Sequence, residues 1–149
     1  MRLSKSRLVA YKQCPKRLWL QTYRRELAQQ SEAVLNRMAQ WNRVGGAAQH
    51  LHPEGRLIAH VTDLDAAVRE TQEALATPGD ITLFEPAMRW ADMLVRADIL
   101  ERRGGACRLI EVKSSTRVKD YHVTDAGIQT CVLRGGKTSS APLVVAADA

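Results

Sequence analysis

"VRADILERRGGACRLIEVKSSTRVKDYH", residues 95–122, decides how this chain is read. The run is rich in strand-forming residues, and "RRGGA" in its middle is a natural hairpin position. Two strands are expected around it, "MLVRADILE" and "CRLIEVKS". Alternation puts Leu109, Glu111 and Lys113 on one face of the second strand, with Ile110 and Val112 on the other. On the first strand Arg96, Asp98 and Leu100 share a face, so a hairpin across the glycines brings Asp98 beside Glu111. Charged side chains are costly to bury unless something pairs with them or binds them. Two carboxylates that close repel each other unless a cation lies between them. An oxygen-rich pocket with open water positions suits Mg²⁺ or Mn²⁺ better than zinc. Lys113 could then orient or activate water and offset charge developing on a phosphate. The same residues also allow a plainer reading as exposed charges on a half-buried hairpin. Asp98 would then pair with Arg96 or Lys113, and Glu111 with Arg102 or Arg103.

Outward from this run, "ITLFE" is a third strand candidate on the N-terminal side. On the other side "KDYHVTDAGIQTCVL" reads as a helix, "GGKTSS" as a loop and "APLVVAA" as a final strand. Nearer the N-terminus, Ser4 stands as the N-cap of a short helix and Pro15 opens a second one through Leu18, Trp19 and Leu20. From Ser31, the positions Val34, Met38, Trp41, Gly45, Ala48 and Leu51 or His52 recur at helical spacing. One helix through Gly45 and Gly46 is expected there, although the glycine pair also permits a break. "HPEG" ends it. A further helix is expected to start near Thr62, with Thr62 and Asp65 as a capping pair, and to stop at "TPGD". The order defines an α/β fold with a small mixed sheet flanked by helices and an N-terminal helical segment. One domain over 1–149 is expected, mainly helical over 1–76, with a strand-strand-strand-helix-strand core over 81–149.

Composition agrees with a folded core: 45% of the 149 residues are apolar, enough for one domain and too few residues for two comfortable ones. No apolar run approaches the length of a membrane span, and residues 1–20 lack the continuous apolar stretch of a secretory signal. A cytoplasmic location is the expectation. Cys14, Cys107 and Cys131 are widely spaced without a CxxC pair, which speaks against a disulfide framework or a four-cysteine metal site. The formal charge is +6, and eight Lys or Arg residues fall within residues 1–25 with no acidic residue before Glu26. Such a patch attracts polyanions, DNA above all, with Lys12, Lys16, Arg17 and Arg24 as candidate phosphate contacts. A solvated helical surface is the alternative use of the same charges.

Asp98, the 13-residue separation and "EVK" at Glu111, Val112 and Lys113 resemble the PD-(D/E)XK nuclease motif. The likeness is greatest to the RecB-like branch, which includes CRISPR-associated exonucleases and larger uncharacterised bacterial proteins with the same module. "LSKSRLVAYKQCPKRLWL", "VRADIL" and "IEVKSSTRVKDYHVTDAGIQ" look like the N-terminal nuclease-like region of that last group, so the likeness covers nearly the whole chain. It implies a restriction-endonuclease-like core and a divalent-metal-dependent DNA nuclease. Asp98 and Glu111 would be metal ligands, joined by the Val112 carbonyl, and Lys113 would be catalytic. Gln129 matches a family glutamine that contacts substrate, while Leu133 replaces a tyrosine that often follows. Gly46 and His50 have the spacing of a G-x-x-x-H pattern that supplies a metal-ligand histidine in many relatives, although aligning Gly45 puts Gln49 there instead. Glu85 could approach the same site or be a strand-end acid. Tyr121 and His122 could touch DNA, and Asp125 could tie its helix to neighbouring elements. Cys14 resembles the lone N-terminal ligand of an iron–sulfur cluster whose other three cysteines follow the core; that trio is missing from this sequence, so no cluster is expected within the one chain. Cys107 and Cys131 are expected to be buried small side chains. The alternatives to a nuclease are a nucleic-acid-binding or assembly module without turnover, and a truncated piece of a larger nuclease-like protein.

Overall fold

A computed structural model describes residues 3–28, 46–47, 49–113, 115, 117–135 and 145–146. The helix expected from Ser31 lies largely outside these residues, as does the "GGKTSS" loop beyond Gly135. The chain begins with a short strand β1 (Leu3–Ser4), then helices α1 (Lys5–Gln13) and α2 (Pro15–Tyr23) and a 3₁₀ turn (Arg25–Leu27). Pro15 takes the first turn of α2, where its missing N–H costs nothing. Ser4 does stand at the N-cap of α1, but its hydroxyl lies 3.1 Å from that of Ser6 and makes no cap bond.

A second short strand β2 (Arg56–Leu57) precedes helix α3 (Leu64–Ala76). The expected capping pair of Thr62 and Asp65 is not formed. Asp63 caps α3 instead, its carboxylate accepting from Ala66 N–H at 2.9 Å. An aspartate one residue nearer the helix reaches the orphan amide that threonine would have had to reach.

The sheet follows from strands β3 (Ile81–Phe84), β4 (Ala87–Trp90), β5 (Met93–Arg96), β6 (Ile99–Arg103) and β7 (Ala106–Ile110). Helix α4 (Asp120–Gly135) and strand β8 (Val145–Ala146) complete the chain. "MLVRADILE" is therefore two strands rather than one, and "AMRW" is a strand that periodicity did not separate. The bend has a local cause. Glu85 adopts φ 55° and is followed by Pro86, while Glu85 N–H bonds to the Asp98 carbonyl and Ala97 N–H to that of Pro86. Two antiparallel strands thus turn together at 85–86 and 97–98, passing from a three-stranded sheet, β1-β5-β4, into a five-stranded one, β2-β3-β6-β7-β8. β1 and β8 pair in parallel with β5 and β7, giving the mixed character expected. Gly104 and Gly105, both at positive φ, make the two-residue turn between Arg103 and Ala106, a backbone that β-carbons disfavour.

The described residues form an α/β fold with a small mixed sheet flanked by helices. Leu100, Leu109, Val95 and Ala97 pack with Val132 and Leu133 of α4 in one core cluster. Leu83, Ala87 and Leu94 pack with Ala67 and Val68 of α3 in another. Phe84, Ile99 and Ile110 form a third with Val112 against it. Leu109 and Ile110 thus go to different cores, as alternation requires.

Candidate functional site

The β6–β7 ladder pairs Ile99 with Ile110, and one more step along it sets Asp98 opposite Glu111. Val112 N–H donates to Asp98 Oδ2 at 2.6 Å, closing the end of the hairpin. Helix α4 brings in Asp125 and Gln129, which lie on one face because they are four residues apart; both are buried. From the other end of the chain comes Lys5, the first residue of α1.

These side chains form one connected cluster. Lys5 Nζ is 3.2 Å from Glu111 Oε1 and 3.2 Å from Asp125 Oδ1. Lys113 Nζ donates to the same Glu111 Oε1 and lies 3.3 Å from Asp125 Oδ2. Gln129 Nε2 donates to Glu111 Oε2 at 2.6 Å and to Asp125 Oδ1 at 3.3 Å. Glu111, Lys113 and Gln129 are therefore brought together with Lys5 and Asp125, while Asp98, bonded to Val112 N–H, acts on Glu111 and both lysines through its charge. Three carboxylates face two ammonium groups, so the cluster carries a surplus negative charge when every group is ionised.

Burial pushes the Asp98 carboxyl above the ordinary range, against the Val112 N–H that favours its charged form. Burial also raises Glu111, and the charge of Asp98 adds to it. Burial alone would lower Lys113, but the Glu111 carboxylate, backed by Asp125 and Asp98, lifts it above the ordinary lysine value. For Asp125, burial is outweighed by Lys5, by its hydrogen bonding with Glu111 and by Lys113, and its carboxyl is held low. Lys113 is thus kept as an ammonium. It can donate to an anion or fix a water, and it is poorly suited to accept a proton.

The hard oxygen donors and the pair of carboxylates with raised pKa fit a Mg²⁺ or Mn²⁺ ion in charge and chemistry. Both Glu111 oxygens, however, already accept from Lys5, Lys113 or Gln129. Among the described residues, no group of three or more His, Cys, Asp or Glu side chains is placed to hold a metal ion. His50 is exposed and joins no such group. His52 sits 3.1 Å from Glu101 and beside the Phe84 ring. Glu85 pairs with Arg96 at 3.0 Å, and its charge reaches Asp98.

The plainer pairing of the hairpin charges is not what forms. Arg96 bonds to the carbonyls of Ile58 and His60, and Arg102 to those of Leu75, Thr77 and Gly79. Arg103 bonds to Thr82. Lys113 pairs with Glu111 and Asp125 rather than with Asp98.

Around the cluster the outcomes differ. Tyr121 is exposed, with Lys119 Nζ 5.8 Å from its ring centre. His122 is buried, its Nδ1 accepting from Lys119 N–H, so it does not present a free face to DNA. Burial, then the charges of Lys113 and Lys119, hold its imidazole below the ordinary value. Cys107 is buried, but Cys131 is exposed, as is Cys14, because helix α4 turns Val132 and Leu133 inward instead. Lys16, Arg17 and Arg24 line a groove of ≈ 870 Å³ with Arg7, Arg25 and Cys14. Lys12 is outside it and donates to Thr124 on α4 at 3.0 Å.

Sequence reasoning missed Lys5, which lies 106 residues from Glu111, and no local pattern marks it. Asp125 was legible, since its spacing from Gln129 is a helical one. No family model, curated protein or solved structure matches the chain. Among the described residues no helix is long and apolar enough to cross a membrane.

Proposed function

We propose that this chain is a DNA-directed, PD-(D/E)XK-like domain whose Asp98–Glu111–Lys113 cluster supports divalent-metal-dependent hydrolysis of phosphodiester bonds. The observation that carries the reading is the placement of Asp98 opposite Glu111 at the open end of the β6–β7 hairpin, with Lys113 and Gln129 on the same cluster. Asp98 and Glu111, with the Val112 carbonyl, would hold Mg²⁺ or Mn²⁺, which when bound polarises a phosphoryl oxygen and acidifies water. Lys113 stays protonated and donates to the phosphate or to the attacking water. Gln129 keeps Glu111 oriented through its 2.6 Å bond. Lys16, Arg17 and Arg24 on the basic groove would engage the phosphate backbone.

A second reading has its own support. The ammonium groups of Lys5 and Lys113 already compensate Glu111 and Asp125, which suits a nucleic-acid-binding or assembly module that keeps this architecture without turnover. Incubation with labelled single- and double-stranded DNA, with Mg²⁺, Mn²⁺ or chelator, separates the two. Hydrolysis should require metal, and K113A should lose turnover roughly 10²-fold or more while keeping the ion, because an ammonium is not a ligand. Folded wild type that binds DNA and cleaves none of these substrates would establish the second reading. Cleavage that survives D98A, E111A and K113A would place the activity elsewhere.

A further inference from the structure

Lys5 is the one member of the cluster that arrives from outside the hairpin and its following helix. Its placement is a consequence of topology. β1 runs parallel to β5, with Leu3 beside Met93 and Ser4 beside Leu94, so the chain leaves β1 toward the end of β5 that leads to Asp98. α1 starts there, and Lys12 fixes it to α4 through Thr124. Lys5 Nζ then bridges Glu111 and Asp125 at 3.2 Å each.

The two ammonium groups are not equivalent. Both use Glu111 Oε1, but Lys113 is only two residues from Glu111 and is bound to stay near it. Lys5 belongs to a different element and keeps Asp125 as a partner if it gives up Glu111. Its side chain is 23% exposed, against 5% for Glu111, so it can be reached from solvent. Its neighbours Ser4 and Ser6 line the basic groove, whereas the Lys5 ammonium lies on the acidic cluster.

We infer that Lys5 is a positioning residue of this site, a built-in ammonium that occupies Glu111 and must withdraw toward Asp125 when a divalent cation takes that carboxylate. The inference rests on the metal-site reading above. Lys5 competes with the ion for Glu111, and after withdrawal it keeps Asp125 as its partner. Removing a competing positive charge a few ångströms from the ligand should tighten Mn²⁺ binding by about tenfold, whereas loss of an ordinary structural contact would weaken it or leave it unchanged.

The test is calorimetric Mn²⁺ titration of wild type, K5Q, K5R and D98A, with thermal unfolding of each with and without the ion. K5Q should bind more tightly than wild type and show the larger ion-induced rise in Tm, and K5R should return to the wild-type affinity. Folded K5Q with equal or weaker affinity overturns the inference while the metal site stands. No Mn²⁺ binding in wild type or K5Q, both folded, overturns the metal site and this inference with it. Should K5Q fail to fold, wild type with ¹³C-labelled lysine decides. The Lys5 signal, assigned through its loss in K5R, should move on adding Mg²⁺. A signal that stays fixed while D98A-sensitive binding proceeds overturns the proposal.

Discussion

Gln129 Nε2 stands 2.6 Å from Glu111 Oε2 and 3.3 Å from Asp125 Oδ1, so a single amide joins the end of the hairpin to helix α4. Gln129 is fully buried, and the two carboxylates require its NH₂ group, rather than its carbonyl, to face them. Among the described residues nothing donates to its Oε1. Replacement by leucine removes both bonds while nearly keeping the volume. Q129L should lose about 2–3 kcal/mol of stability, measured by urea unfolding. Q129E should be worse near neutral pH than in mild acid, because a third buried carboxylate then meets Glu111 and Asp125.

The acids of the cluster give stability a pH dependence of mixed sign. Burial raises Asp98 and Glu111, so in the window between the ordinary carboxylate range and those raised values the folded chain holds more protons than the unfolded one. Metal-free stability should fall as pH rises through that window. Asp125, held low chiefly by Lys5 against its burial, acts oppositely. Its contribution is present above the ordinary aspartate range and is lost as pH falls through the lowered value. D98N should therefore flatten the decline from mildly acidic to neutral pH, read from urea midpoints. In the same window Mn²⁺ binding should release protons, seen as a dependence of the binding heat on the buffer's ionisation heat.

The basic groove makes a separate claim on nucleic acid. Lys16, Arg17 and Arg24 line it, although Arg17 also bonds Gln13 and Arg24 also bonds Glu26. Binding of DNA should weaken steeply with salt, and neutralising these three should reduce the slope of log K against log salt by roughly 2–3. K12A should change that slope less, since Lys12 is spent on Thr124. Fluorescence anisotropy over a salt series measures both, and equal effects of Lys12 and the groove residues would mean that the groove is not the contact surface.

Much of the site could be read from residues 95–129 because its geometry is local. A two-residue glycine turn fixes the register, register sets Asp98 against Glu111, and helical spacing carries Asp125 and Gln129 together. What escaped depends on distant pairing. β1 and β2 are two residues each, too short for any periodic signal, and only their partners β5 and β3 define them. The division of "MLVRADILE" escaped because it holds no glycine or proline to mark a break; the bend comes from Glu85 and Pro86 on the neighbouring strand. Lys5 was hidden for the same reason, since its role exists only once β1 docks beside β5. Cys131 misled because its helix carries apolar residues on more than one side.

Arg102 allows the fold to be tested apart from the site. Its guanidinium does not meet Glu111. It donates to the carbonyls of Leu75 and Thr77 and, at 2.6–2.8 Å, to that of Gly79. These are the carbonyls that helix α3 leaves unpaired at its C-terminus and in the turn beyond, where a cation also meets the negative end of the helix dipole. Methionine keeps the aliphatic stem and removes every donor. R102M should cost roughly 2 kcal/mol in a urea titration. Mn²⁺ affinity, DNA affinity and any cleavage should stay at wild-type levels in the fraction that remains folded. A variant that unfolds no more readily than wild type would show that water replaces the guanidinium at this helix end. A loss of Mn²⁺ affinity in folded R102M would mean that α3 and the acidic cluster are coupled through β6, which no contact described between them requires.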